Sequence, residues 1–276
     1  MPGISARFPG GISAFPIRIF AVVFMIVDHF AAALVGTAIL PKLIDPGLQY
    51  GSDWLMFYDI LRDLGRFTFP VFCFFLSEGV RHTGNVKKYA MRLLIVGIIS
   101  EIPFDMAIKG SIVELSRMNT FLTLLFGMLL IYVARNRTEH IVQLKPLRER
   151  DYERGIKKDL ILIALMAAAS FLAAKLLRTD YSMRGIGLIF VMFVSEEIGR
   201  WRFSNTFFGK HVLTALVGVA FILLEAKTWM IAVPAVMLFF MIVMYNGERG
   251  RKLKWFFYYI YPIHLFVFGF LRMTIG

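Results

Sequence analysis

The sequence predicts an all-α fold, a polytopic transmembrane helical bundle of about nine spans with a cytoplasmic N-terminus. Three observations lead to this prediction. Hydrophobic residues make up 58% of the 276 residues, a fraction too high for a soluble domain of this length. The apolar stretches are long enough to cross a bilayer and are separated by mostly short polar segments. Lys and Arg concentrate in alternate segments, as the positive-inside rule requires.

The spans follow the apolar stretches in order. Pro41 ends the first of them, and Pro234 is expected to kink the eighth. An eight-span arrangement would place two basic loops on the wrong side of the membrane. We therefore predict one integral-membrane domain, 1–276, with an acidic external loop at 41–63 and a large cytoplasmic loop at 136–158. The nine spans are 17–40, 64–81, 89–109, 119–135, 159–178, 184–200, 210–225, 228–245 and 255–273.

Composition excludes several classes of function. The net charge of +12 is explained by basic cytoplasmic loops, so no nucleic-acid partner is predicted. The single cysteine, Cys73, excludes an intrachain disulfide and a site of several cysteine ligands, and no metal is predicted. The N-terminal segment lacks a small-residue cleavage site after a short apolar core, so we interpret it as a cytoplasmic lead-in to the first span.

The most informative feature is the dipeptide Asp28-His29 inside the first span, FMIVDHFAAALVG. A central Asp in a transmembrane helix costs about 2.5 to 3.5 kcal/mol on insertion scales. Such a cost persists where the residues face a protein interior or a wet cavity and carry a function. The pair is therefore the first candidate for chemistry.

Two carboxylates at the end of the third span form a second candidate. Glu101 and Asp105 are four residues apart and so share one helix face. Like charges this close call in a cation, and Arg66 and His29 are the expected partners at similar depth. A purely structural salt bridge would need only one of the two carboxylates.

Three further residues are candidate substrate or oxyanion contacts. Asn119 opens the fourth span, where a helix-capping role is equally open. Tyr181 lies in the external 178–185 turn, and His264 lies near the middle of the last span, two residues after Pro262. A lone intramembrane His is often only part of the packing, but a second one beside His29 provides an acid–base pair.

Basic residues gather near the inner ends of several spans. Glu78 and Arg81 are three residues apart, and an intrahelical ion pair is one interpretation of them. A cationic rim below a buried His–carboxylate centre favours an anionic cytosolic donor, and acyl-coenzyme A fits that description. Positive-inside bias alone also explains such a rim. This inner basic rim consists of Arg81, Lys87, Lys88, Arg92, Arg249, Arg251 and Lys252.

Several segments resemble the TraX family, named for the membrane protein that acetylates the N-terminus of F-type conjugative pilin. They are FMIVDH, GRFTFPVFCFFLSEGVRHTGNVKKYAMRLL, ISEIPFD, NTFLTLLFG, MYNGERG and FYYIYPIHL, in the order and rough spacing of that family. The resemblance implies a multi-pass acetyltransferase of a bacterial inner membrane. Its co-substrate would be cytosolic acetyl-CoA, its acceptor an amine or hydroxyl on a peptide, sugar or lipid, and His29 its leading catalytic residue. The resemblance specifies neither a pilin partner nor an oligomeric state.

The expected mechanism uses neutral His29 as a general base or acyl carrier. Adjacent helical residues point about 100° apart, so Glu101 or Asp105 is expected to orient the imidazole while Asp28 pairs with Arg66. Asn119, Tyr181 or Arg66 would then donate to the developing oxyanion. Direct transfer and an acetyl-His intermediate both remain open.

Two other classes of function are alternatives. A proton-coupled transporter or exporter would also use intramembrane His and carboxylate groups, but the chain has no repeated halves. A non-catalytic scaffold leaves the cost of the buried ionisable residues unexplained. Acetyl-CoA distinguishes these classes, because a transporter or a scaffold is not expected to bind or cleave it.

Overall fold

The computed structural model describes residues 10–39, 50–144, 149–203, 209–251 and 253–275. Within these ranges the chain is almost entirely helical, and its extended pairing is confined to two isolated bridges, Ile12 with Tyr245 and Met118 with Thr179. The predicted all-α class is therefore confirmed. Pro41 and Lys252 lie outside the described residues.

The helices follow one another with short connections. We number the α-helices α1 to α10 in chain order. A π-helical segment, Ala31–Ile39, continues α1, and a 3₁₀ turn, Trp229–Ile231, precedes α9. The bounds are α1 Ala14–Phe30, α2 Tyr50–Gly65, α3 Thr68–His82, α4 Val86–Lys109, α5 Thr120–Leu144, α6 Glu149–Leu176, α7 Ser182–Arg202, α8 Gly209–Leu224, α9 Ala232–Val243 and α10 Lys254–Ile275.

Fewer helices than predicted are long and apolar enough to cross a membrane. Over the described ranges, three segments meet both conditions: Ala14–Thr37, Asp151–Leu176 and Trp255–Ile275. Gly209–Leu224 and Trp229–Val243 are apolar but shorter. Of the other predicted spans, α3 has only 15 residues. Charged residues interrupt α4 and α7 and end the apolar part of α5 at Arg135.

The described parts of the two predicted loops are helical. Residues 50–63 of the expected external loop belong to α2, which packs against α1. In the expected 136–158 loop, α5 continues to Leu144 and α6 begins at Glu149. Charged residues that favour helices explain the second difference, since Arg135 Nε lies 2.9 Å from Glu139 Oε1 one turn along α5.

The helices pack around one large hydrophobic core, and a second, small cluster of buried residues lies between α5, α6 and α7. α10 lies along α4, α5 contacts α6 and α7, and α8 contacts α7 and α9. Phe67, Phe74, Met128, Ile189 and Leu238 are among its buried side chains. Large apolar side chains are exposed on the outside of the bundle, for example Ile98 and Ile99 on α4, as expected for helices surrounded by lipid.

A buried ion network joins the C-terminal ends of α3 and α7 to the beginning of α8. Glu196 is fully buried, and its carboxylate lies 2.9 Å from Arg200 Nε, 2.9 Å from His211 Nδ1 and 3.4 Å from Arg81 Nη1. Glu78 Oε1 lies 3.0 Å from Arg81 Nη1 and 2.5 Å from Arg200 Nη2. The predicted Glu78–Arg81 pair is therefore present, as part of a larger network that fixes three helices together.

Candidate active site

A cavity of about 1040 Å³ runs through the bundle between two charged ends. Arg18 and Lys88 lie near the beginnings of α1 and α4, whereas Asp28 and Ile108 lie near their ends. Since helices rise about 1.5 Å per residue, these pairs mark opposite ends of one cavity. Following the predicted orientation, we call Arg18, Lys88, Arg92, Arg249 and Arg251 the inner mouth, and Arg62, Arg66, Arg117, Asp180, Arg184 and Glu225 the outer mouth.

His29 lines this cavity and contacts the second intramembrane histidine. His29 Nδ1 lies 2.6 Å from His264 Nε2, and the two rings stack with centroids 4.9 Å apart. The Tyr261 ring approaches both imidazoles edge-on, with each centroid 5.8 Å away. The structure thus brings His29 at the end of α1 together with His264 in the middle of α10.

The hydrogen-bond pattern assigns the tautomers of the pair. His264 Nδ1 lies 2.5 Å from the Ile260 carbonyl oxygen, which can only accept, so His264 Nδ1 carries the proton. In neutral His264 the Nε2 atom is then an acceptor, and His29 Nδ1–H donates to it. His29 Nε2 is left with its lone pair, the form that a general base or a nucleophile requires.

Asp28 pairs with Arg62 and not, as expected, with Arg66. Arg62 Nη1 lies 2.7 Å from Asp28 Oδ2 and donates to the Asp28 carbonyl oxygen at 3.1 Å. α2 ends at Gly65, so the chain leaves the helix at Arg66 while Arg62 remains on the face that packs against α1. The pair holds α1 just before it changes to π-helical geometry at Ala31, a feature frequent at functional sites.

Gly65→Ala is expected to disrupt this junction. A Cβ atom at position 65 would overlap the Asp28 side chain at its Cβ and Oδ1 atoms, so α1 and α2 would have to separate. Such overpacking costs about 1 to 3 kcal/mol, which we expect as a lower unfolding temperature of the purified protein. Gly187→Ala is the control, since its Cβ would meet open space. Equal unfolding temperatures would contradict the assigned contact.

Glu101 and Asp105 do not orient His29, so that expectation is wrong. Glu101 Oε2 accepts hydrogen bonds from the backbone and side-chain nitrogens of Asn119, at 3.2 and 2.5 Å. Asp105 Oδ2 accepts from the Glu114 backbone nitrogen at 2.7 Å, and its Oδ1 lies 3.3 Å from Lys109 Nζ. Both carboxylates anchor the connection between α4 and α5, because that connection leaves unpaired backbone donors near the end of α4.

Asn119 is also separate from the cavity. Its side chain is fully buried, donates to the Gly97 carbonyl oxygen at 2.7 Å, and accepts from the Phe121 backbone nitrogen at 2.9 Å. These contacts match the capping alternative better than an oxyanion role.

Tyr181 does line the cavity, in an unusual backbone conformation. Arg178, Tyr181 and Ser182 have φ values of 48°, 59° and 42°, a region that non-glycine residues adopt rarely. Thr120 Oγ1 donates to Asp180 Oδ2 at 2.8 Å, and the Tyr181 ring stacks on Phe69 with centroids 3.9 Å apart. The turn is thus held against α5 and α3, a pattern typical of strained functional sites.

The inner basic rim is present only in part. Lys88, Arg92, Arg249 and Arg251 line the cavity, together with Arg18, which the sequence analysis did not include. Arg81 does not, because the buried glutamates of the ion network hold it. Lys87 is exposed and is not among the residues that line the cavity.

The comparisons with known proteins agree with the sequence motifs. The model of the TraX protein family matches residues 14–272. The chain belongs to the TraX family. A relative from Dichelobacter nodosus, the probable fimbrial assembly protein FimC of serogroup H1, is 26% identical over 272 residues, which cover 92% of this chain and 93% of the relative. No solved structure matches. Membership of the TraX family, together with the apolar helices, indicates a membrane protein.

Proposed function

We propose that this TraX-family protein is a multi-pass acetyltransferase of a bacterial inner membrane. It would move an acetyl group from cytosolic acetyl-CoA to an amine or hydroxyl acceptor. The observation that supports this most strongly is the contact of His29 Nδ1 with His264 Nε2, in a cavity with a cationic end, which assigns the lone pair of neutral His29 to Nε2. A half-buried neutral imidazole with a free lone pair is well suited to take a proton from an acceptor.

The proposed reaction is a direct transfer. The acceptor nitrogen or oxygen attacks the thioester carbonyl carbon while His29 Nε2 takes the acceptor proton. The tetrahedral intermediate then collapses, the carbon–sulfur bond breaks, and the departing thiolate takes the proton from the imidazolium. Acetylated acceptor and free coenzyme A leave, and neutral His29 is restored. Direct transfer is favoured because both mouths belong to the cavity that His29 lines, so two substrates can reach one imidazole.

The inner mouth is the proposed donor site. Its arginines and lysine supply phosphate contacts, and about 15 Å of helix separates Arg18 from Asp28. Coenzyme A carries its phosphates and its thiol at opposite ends of an extended arm. Phosphates at the inner mouth would therefore leave the thioester deeper in the cavity, toward His29.

The surrounding residues would support His29 in distinct ways. His264 is a positioning residue that fixes the tautomer of His29. Tyr181 is the proposed oxyanion donor, because its neutral hydroxyl belongs to a side chain that lines the cavity. The Asp28–Arg62 pair would hold the end of α1 in place, and Glu101 and Asp105 would act only through the shape of the bundle.

The name of the Dichelobacter relative refers to fimbrial assembly, so a fimbrial subunit is one acceptor to test. Acetyl-CoA turnover can be measured without an identified acceptor, because water replaces the acceptor in a slow hydrolysis.

Neutralising the inner mouth is expected to weaken donor binding. The double variant Arg249→Gln/Arg251→Gln should raise KM for acetyl-CoA with little change in kcat, because its effect is on phosphate contacts remote from His29. The effect should grow as ionic strength falls, where charge interactions in the wild type are least screened. Lys87→Gln removes a nearby exposed charge outside the cavity and serves as the control. An unchanged KM in the double variant would contradict the donor assignment.

A further inference from the structure

We propose that the outer mouth binds an oxyanion group of the acceptor, a carboxylate or a phosphate, with Arg66 as its anchor. This inference rests on the proposed function, since it assigns the acceptor to the mouth opposite the donor. Two observations support it. The other arginines at that mouth already have close carboxylate partners, and the buried Arg66 guanidinium has an Nε donor that no residue described by the structure satisfies.

Three of the four guanidiniums at this mouth have close carboxylate partners. The distances are 2.7 Å for Arg62 Nη1 to Asp28 Oδ2, 2.7 Å for Arg117 Nη2 to Asp180 Oδ1 and 2.5 Å for Arg184 Nη1 to Glu225 Oε1. Asp28, Asp180 and Glu225 are the carboxylates that line this end of the cavity in the part of the chain that the structure describes. Each of them is therefore already engaged by another arginine.

Over the described chain, Arg66 is the guanidinium of this mouth that lacks a close carboxylate partner. Its carboxylate contact within the described ranges is 3.8 Å, from Nη1 to Glu225, which Arg184 holds more closely. Its side chain is only 15% exposed, and its Nε atom is buried without a hydrogen-bond partner among the described residues. Leaving a buried donor unsatisfied costs free energy, so a ligand that accepts a hydrogen bond from Arg66 Nε would recover that cost on binding.

The chemistry of this ligand follows from the guanidinium. Its planar fork matches the two oxygens of a carboxylate or a phosphate, whereas a cationic or neutral group would not compensate the charge. Tyr181, stacked flat on Phe69, forms an aromatic wall of the same cavity. Arg66 would thus hold the charged group of the acceptor while its amine or hydroxyl reaches toward His29.

The test compares two single variants that each remove one positive charge from the outer mouth. Wild type, Arg66→Gln and Arg117→Gln are placed in nanodiscs of phosphatidylcholine, and unfolding temperature is measured against inorganic phosphate and against acetate. The inner mouth is also proposed to bind phosphate, so the readout is the part of the thermal shift that Arg66→Gln removes. We expect about tenfold weaker apparent phosphate affinity in Arg66→Gln and a nearly wild-type response in Arg117→Gln. Equal responses in all three proteins would overturn the proposal.

Stability without added anion provides a second readout. Arg66→Gln should unfold near the wild-type temperature, because Arg184 still holds Glu225 and Arg62 still holds Asp28 after the change, and Arg117→Gln should not gain stability. A purely structural Arg66–Glu225 bridge predicts a lower unfolding temperature for Arg66→Gln, and that result would contradict the proposal.

Nanodiscs of phosphatidylglycerol distinguish an acceptor group from a lipid headgroup. If a lipid fills the site, Arg66-dependent stabilisation should appear there without phosphate, and added phosphate should have no further Arg66-dependent effect. That outcome would overturn the acceptor assignment. Coenzyme A binding is measured on the same samples. Its absence in wild type, with the Arg66-dependent response intact, would count against the donor site and not against the anion site.

Discussion

Replacing His29 with alanine is expected to lower acetyl-CoA turnover by about 10²- to 10⁴-fold, the usual effect of losing a positioned general base. The physical reason is the series of hydrogen bonds from the Ile260 carbonyl oxygen through His264 to His29 Nδ1. In neutral His29 this series leaves the lone pair on Nε2. The measurement is the initial rate of coenzyme A release by purified protein, with folding checked by gel filtration.

Two further histidine variants define the effect. His264→Ala removes the acceptor of the His29 Nδ1 proton, so it should lower kcat by a smaller factor than His29→Ala and leave KM for acetyl-CoA unchanged. His140→Ala is the matched control, because His140 pairs with Asp159 at the junction of α5 and α6 and lies outside the cavity. Full activity in His29→Ala with loss in His264→Ala would make His264 the base.

Replacing Glu196 with glutamine is expected to have the largest effect on stability. Glu196 is fully buried and is shared by Arg200, Arg81 and His211. Removing one member of a buried charged network leaves its partners uncompensated, which costs about 3 kcal/mol or more. The unfolding free energy from denaturant titration in mixed micelles measures this loss.

Glu197→Gln is the matched control for Glu196→Gln. Glu197 is the next residue on α7 and lies 2.7 Å from Arg81 Nη2, but its side chain is 45% exposed. Exposed ion pairs contribute about 0 to 1 kcal/mol, so the two variants should differ clearly. Equal losses of unfolding free energy in the two variants would contradict the assignment of Glu196 as the buried centre of the ion network.

The sequence could predict which intramembrane residues matter, because burying an ionisable group in a membrane is expensive wherever it occurs. That argument selected Asp28, His29 and His264 without any knowledge of their neighbours, and His29 and His264 lie in contact in the structure. The fold class followed from the same source, since hydropathy is a property of each segment alone.

The partners of these residues could not be predicted, because partners depend on where helices end and cross. Asp28 pairs with Arg62 because α2 ends one residue before Arg66. Glu101 accepts hydrogen bonds from Asn119 instead, because the connection after α4 folds back against the end of that helix. His211 was missed in the same way: a single His near the start of α8 has no signal of its own until Glu196 packs against it.

The most direct test of the account is incubation of the purified wild-type protein, in nanodiscs, with acetyl-CoA labelled in the acetyl group. We expect binding that the inner-mouth double variant weakens, slow release of coenzyme A in the absence of acceptor, and loss of that release in His29→Ala. A proton-coupled transporter would neither bind nor cleave acetyl-CoA. The absence of both binding and coenzyme A release in the folded wild-type protein would contradict the proposed acetyl transfer.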